Sequence, residues 1–278
     1  MPSLGARERF ADALPMRAGA RRAAFRPVDY GRQMLGTAAF FLLGLLVSVA
    51  CWMLWKLGGR WISQERGQRL LQRSYRGYVE LLRALGCLEL RVEGQDVLRE
   101  LEGTIIASNH PGLLDAIFIC AYQPRTACVM RASLLRSPVL FGGSMLGGYV
   151  TNDLGSAFVR QGVEKIRAGG NLLIFPEGTR TRNHAVNAFK SGFALVAVKA
   201  GAPVQTILIE REGTYLSKGA TLFAPVTMPL LVTIRPGERF VPQPGETARE
   251  LTTRIETYFR SRLHNSGHAI CLQPSVKS

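Results

Sequence analysis

Met34 to Trp55 runs for 22 residues without one charged side chain. In water such a stretch must find either a protein core or a bilayer. At 1.5 Å per residue a helix of this length covers about 33 Å, enough for a hydrocarbon layer of about 30 Å. Trp52, Trp55 and Lys56 at its end are the side chains that anchor at a membrane interface. Before it, residues 1–33 carry seven arginines against Glu8, Asp12 and Asp29, the composition of a basic, largely disordered arm. That leader is too long for the n-region of a secretory signal, and no cleavage motif follows the apolar run. The expectation is an anchor over residues 34–60. Lysine and arginine number seven in residues 1–33 and seven again in residues 56–83, so flanking charge gives no orientation. A re-entrant or interface-lying hairpin would put both basic flanks on one side. One candidate span excludes a multi-span channel or transporter.

Residues 61–86 are amphipathic. Leu71, Tyr75, Tyr78, Leu82 and Leu85 share one helical sector, and Arg66, Arg69, Arg73, Arg76 and Arg83 occupy the other. Next to an anchor, this reads as a helix lying on an anionic surface, with a domain helix bearing a solvated face as the alternative. From Leu88 the pattern alternates. Strands are expected at Leu88–Val92, Thr104–Ala107, Ala127–Met130, Leu172–Phe175, Val204–Ile209, Thr221–Phe223 and Leu230–Ile234. Helices are expected at Leu113–Tyr122, Leu154–Ala168, Ser191–Ala200 and Thr247–Leu263. Such alternation predicts one α/β domain over residues 87–264, with a mixed, partly parallel central sheet flanked by helices. The tail from 265 to 278 reads as flexible.

Two segments that each follow an expected strand carry chemistry, and strand C-termini are where ligands gather in such folds. In Ser108-Asn109-His110-Pro111-Gly112-Leu113-Leu114-Asp115, the Pro-Gly turn lets His110 and Asp115 face each other. A carboxylate on one ring nitrogen fixes the tautomer and raises the basicity of the other. This is a base and its orienting partner without a nucleophile of their own, so the deprotonated group belongs to a substrate. In Phe175-Pro176-Glu177-Gly178-Thr179-Arg180, Gly178 permits close backbone approach and Thr179 offers a hydroxyl. Arg180 supplies a planar fork for phosphate. Glu177 is placed to position a hydroxyl or to bind the His110 loop.

Together these segments resemble the glycerolipid and lysophospholipid acyltransferase family, in particular its 1-acylglycerol-3-phosphate acyltransferase-like members. His110 and Asp115 match the family's histidine–four residues–aspartate motif, preceded by Asn109, and Phe175 to Arg180 match its second main motif without a substitution. Phe189-Lys190-x-Gly192 and Gly201-Ala202-Pro203-Val204 fit further blocks, and the resemblance spans roughly residues 85–235. It implies a membrane-bound O-acyltransferase with acyl-CoA or acyl-carrier protein as donor, no cofactor and no metal. It further implies His110 and Asp115 as the catalytic pair, with Asn109, Glu177, Gly178, Thr179, Arg180 and Lys190 at the substrate. One block departs. Gly148-Tyr149-Val150-Thr151-Asn152-Asp153 lacks the arginine that helps grip an acceptor phosphate, which makes Asn152 and Asp153 an acceptor-site variant. That version is similar to bacterial members associated with aryl polyene pigments, so a non-phosphatidate acceptor stays open. The implied location is the inner membrane with the catalytic domain toward the cytoplasm.

Charge and cysteine content fit this picture. A net charge of +15 points to an anionic partner. The arginines cluster around the apolar run without any nucleic-acid motif, so membrane lipids are expected as partners and nucleic acid is not. The five cysteines form no CxxC pair, which argues against a disulfide framework or a structural zinc site and suits a reducing compartment. A non-catalytic lipid-binding scaffold would have no need of both His110 and Asp115.

Overall fold

The computed structural model describes residues 25–58, 62–152, 155–181, 186–213, 215–216 and 225–264. The arm over residues 1–24, Asp153, the expected strand at Thr221–Phe223 and the tail from 265 lie outside the described residues. The chain order is α1 (Pro27–Gly58), α2 (Gln64–Ala84), β1 (Leu88–Val92), α3 (Gln95–Arg99), β2 (Ile105–Ser108) and α4 (Asp115–Tyr122). Then come β3 (Thr126–Met130), a 3-10 turn (Ala132–Arg136), α5 (Phe141–Gly147), β4 (Val150–Thr151), α6 (Ser156–Arg167) and β5 (Asn171–Ile174). The chain closes with α7 (Gly192–Ala200), β6 (Val204–Glu212), β7 (Leu230–Phe240) and α8 (Ala248–His264).

The seven strands form one sheet in the order β1-β7-β6-β2-β5-β3-β4. Every neighbouring pair is parallel except β6 and β7. β2 and β5 are buried on both faces, which is why they are short continuous apolar runs rather than alternating ones. Successive side chains feed opposite layers. Ile106 and Leu173 join Leu82, Phe118 and Ile119 of α2 and α4. Ile105 and Leu172 join Phe158, Phe193, Ile255 and Phe259 of α6, α7 and α8. The expected mixed, partly parallel sheet between helices is therefore the observed one.

Two N-terminal expectations are corrected. First, α1 begins at Pro27, so the arm ends seven residues earlier than its charge pattern indicates. Asp29 and Gln33 are fully buried there. Asp29 accepts from the Arg26 amide at 3.1 Å, and Gln33 Oε1 accepts from the Val226 amide at 3.3 Å. Farther along, Gly36 lies against Cys87 and Leu82, and Ser48 Oγ accepts from the Gly142 amide at 2.9 Å. One face of α1 is thus docked on the domain from Asp29 to Cys51, while Leu35, Leu42, Leu46, Val49, Met53 and Leu57 are exposed on the rest. Second, the apolar stripe of α2 does not face a membrane. Leu71, Tyr78, Val79 and Leu82 are buried in the protein, and the helix packs on α4 and α5. Arg66, Arg69, Arg73 and Arg76 lie on its exposed face. The periodicity is real, and α4 and α5 supply the surface that satisfies it.

Candidate active site

β2 and β5 are adjacent and parallel, so the segments that leave their C-termini emerge side by side. Asn109-His110 leaves β2 and Phe175-Pro176-Glu177 leaves β5. The two turns are bonded through a single residue. The His110 amide donates to Glu177 Oε1 at 3.1 Å, and its carbonyl accepts from the Thr181 amide at 2.7 Å. The imidazole stacks on Phe175 with ring centroids 4.0 Å apart. On the other side of β2, Asn109 reaches β6. Its Nδ2 donates to the Ile209 carbonyl and its Oδ1 accepts from the Ile209 amide, both at 2.8 Å.

Asp115 opens α4 and is 2 % exposed, against 18 % for the His110 side chain. Its Oδ2 accepts from His110 Nδ1 at 2.8 Å and from the Gly112 amide at 2.7 Å. The carboxylate holds the ring proton on Nδ1 and leaves Nε2 as the free base. The Ser108 hydroxyl, the nearest alcohol in sequence, is fully buried and donates to the Asn109 carbonyl at 3.0 Å. Cys51, Cys87, Cys120 and Cys128 are buried as well. In this arrangement the imidazole can accept a proton at Nε2 while Asp115 holds Nδ1.

Several residues expected at the substrate have other work. Asn109, 3 % exposed, spends both amide atoms on the backbone of β6. Glu177, also 3 % exposed, accepts from the His110 amide, the Thr181 hydroxyl, and the amide and side chain of Asn187. Of its two sequence readings, binding the His110 loop is the one realised. Gly178 has φ +64°, and a Cβ there would lie 3.1 Å from Lys190 Cε, so the motif glycine lets exposed Lys190 cross this turn. Thr179 is half-buried beside it. Arg180 Nη1 donates to the Leu216 carbonyl at 3.1 Å. Asn152 is exposed at the end of β4, two strands beyond β5, with its amide on the Met130 carbonyl at 3.0 Å.

Two arginines at the site were missed. Arg131 follows β3 and donates to the Gly178 carbonyl at 2.7 Å, which brings an exposed cation onto the second motif. Arg211 near the end of β6 donates to the Pro111 carbonyl at 3.3 Å. Both stand at strand C-terminal ends, the signal that located the two motifs and would have located them too.

Residues 89–210 match the family model described as Acyltransferase. That span is similar to an acyltransferase domain. The chain has relatives among lipid acyltransferases. One is the lyso-ornithine lipid O-acyltransferase of Pseudomonas aeruginosa, 29 % identical over 157 residues, or 52 % of this chain. The chain spans 57 % of that relative's length. The human 1-acyl-sn-glycerol-3-phosphate acyltransferase beta is 25 % identical over 250 residues, covering 84 % of this chain and 81 % of the relative. The crystal structure of the 1-acyl-sn-glycerophosphate (LPA) acyltransferase PlsC from Thermotoga maritima shares the fold, with a TM-score of 0.63 at 21 % identity. The match covers 86 % of this chain and 99 % of that one.

Proposed function

We propose that this protein is a membrane-bound O-acyltransferase, moving a fatty acyl group from acyl-CoA or acyl-carrier protein to the hydroxyl of a lysophospholipid-like acceptor. The observation that carries the reading is the 2.8 Å contact from His110 Nδ1 to buried Asp115. His110 Nε2 takes the acceptor's hydroxyl proton as its oxygen attacks the thioester carbonyl. The C–S bond of the tetrahedral intermediate then breaks, and His110 returns the proton to the departing thiolate. The buried Ser108 hydroxyl and buried thiols favour direct attack over an acyl-enzyme. General-base assistance of this kind contributes on the order of 10²–10⁴-fold.

Membrane association follows from α1, a helix long and apolar enough to cross a bilayer. Its docked face argues for lying along one leaflet, since a perpendicular crossing would draw the adjoining parts of α2 and α5 into hydrocarbon. We place the site at the cytoplasmic face of the inner membrane, where thioester donors are made.

A second acceptor class, a hydroxylated lipid or aryl polyene with less headgroup charge, is favoured by Asn152 in the block that usually supplies an arginine. Turnover by the purified protein in anionic vesicles decides between them. With one acyl donor, kcat/KM is compared for lysophosphatidate, a lyso-ornithine lipid and a neutral hydroxylated acceptor. Release of free thiol without any acylated acceptor would refute the transferase reading. A clear preference for the neutral acceptor would replace the lysophospholipid-like one.

A further inference from the structure

Neither motif contains Arg211, yet its guanidinium is bonded to the turn that follows His110. Its Nη1 donates to the Pro111 carbonyl at 3.3 Å. Its Nη2 donates to the Gly213 carbonyl at 3.1 Å and to the Tyr215 carbonyl. Burial pushes this guanidinium below its ordinary value; Asp115 opposes that shift and Arg180 adds to it. Arg211 therefore sits in the field of the carboxylate that holds His110.

The decisive detail is which peptide it grips. The Pro111 carbonyl and the Gly112 amide belong to one peptide unit, one residue beyond His110. The carbonyl end is held by Arg211, and the amide end by Asp115 Oδ2 at 2.7 Å. A Cβ on Gly112 would lie 2.3 Å from Arg211 Nη1 and 3.0 Å from Asp115 Oδ1, so this residue is enclosed between cation and anion. Flipping the peptide would turn its oxygen toward the carboxylate and its N–H toward the guanidinium, both repulsive. A planar fork can serve carbonyls on two chain segments at once, which a lysine ammonium on a flexible stem does poorly.

We propose that Arg211 is a positioning residue for acyl transfer: it locks the Pro111–Gly112 peptide against Asp115 and so holds His110 in its reactive orientation. This deepens the acyltransferase reading and rests on it. Arg211 acts through the turn and does not grip the acceptor, and that separates it from a phosphate-binding arginine.

The test uses the full-length protein in vesicles, with the acyl donor and acceptor that the unaltered protein uses. Arg211→Ala is expected to lower kcat by about 10- to 100-fold, the scale of a misplacement of about 1 Å, while the acceptor KM stays within about threefold. Millimolar guanidinium is expected to restore at least part of kcat, and methylammonium is not. Arg211→Lys, which keeps the charge and loses the fork, is expected to show the same kcat loss and carries the test if the alanine variant does not fold. Gly112→Ala is expected to impair kcat less in the Arg211→Ala background than alone, because the group its Cβ meets is gone. Retained kcat in Arg211→Lys, or a loss confined to the acceptor KM, overturns the assignment while leaving the acyltransferase reading intact. An unaltered protein without acyl transfer overturns both.

Discussion

Replacing Glu177 by glutamine distinguishes a brace from a substrate ligand. The carboxylate is 3 % exposed and accepts four hydrogen bonds, two on each oxygen. A glutamine amide has one acceptor atom, so whichever way it turns, an NH2 group faces two donors. Its best placement puts NH2 on the His110 side, where the Thr181 hydroxyl can rotate and accept. The His110 amide is then left unpaired in a part-buried site. Losing one or two bonds to a charged acceptor, each worth about 1.5–3 kcal/mol, is partly offset by that rotation and by the retained pair to Asn187. The net expectation is a loss of about 2–4 kcal/mol. At about 2–4 °C per kcal/mol for a domain of this size, the unfolding midpoint falls by about 5–15 °C. Because the unpaired donor is the His110 amide itself, kcat should fall with the stability while the acceptor KM stays near its original value. Thermal unfolding in detergent and steady-state kinetics on the same preparation check both. A midpoint unchanged within about 2 °C, together with a tenfold rise in acceptor KM, would refute the reasoning and return Glu177 to the substrate.

His110→Ala is expected to lose roughly 10²–10⁴-fold in turnover with its fold intact, while Asp115→Asn loses less because the base remains; steady-state kcat and circular dichroism of both variants check the order. A Cβ on Gly142 would lie 1.7 Å from the Ser48 carbonyl, a backbone contact that cannot give way cheaply. Gly142→Ala should therefore part α1 from α5 and expose Cys51, now 2 % exposed. Maleimide labelling of Cys51, mapped by mass spectrometry, is expected to accelerate at least tenfold, and unchanged protection in the folded variant would contradict the docked position of α1.

Much of the catalytic half was readable from the chain because its signals are local. β2 and β5 appear as short apolar runs, and each is followed by a turn whose residue types already state their chemistry. His110 and Asp115 are five positions apart, so the turn alone can bring them together, and it does, at 2.8 Å. The sheet order was not readable, nor were α3, α5 and the two-residue β4, which are too short to carry a period.

What the sequence by itself determined was the alternation of elements, the pairing of His110 with Asp115, and the presence of an apolar helix needing cover. What only the tertiary structure decided was who provides the cover and which polar groups are already spent. Amphipathicity says that a face must leave water and does not name its partner. The stripe of α2 therefore looked like a membrane contact until α4 and α5 were seen to fill it, and α1 looked free until Asp29, Gln33 and Ser48 were found facing protein. Polar residues follow the same logic. Asn109 and Glu177 look like substrate ligands in the chain, but Asn109 bonds Ile209, 100 positions away, and Glu177 bonds the His110 amide, 67 positions away. Hydrogen-bond capacity consumed over such separations is invisible to local pattern. For the same reason Arg131 and Arg211, remote in sequence from Gly178 and Pro111, became part of the site only once the sheet had brought its strand ends together.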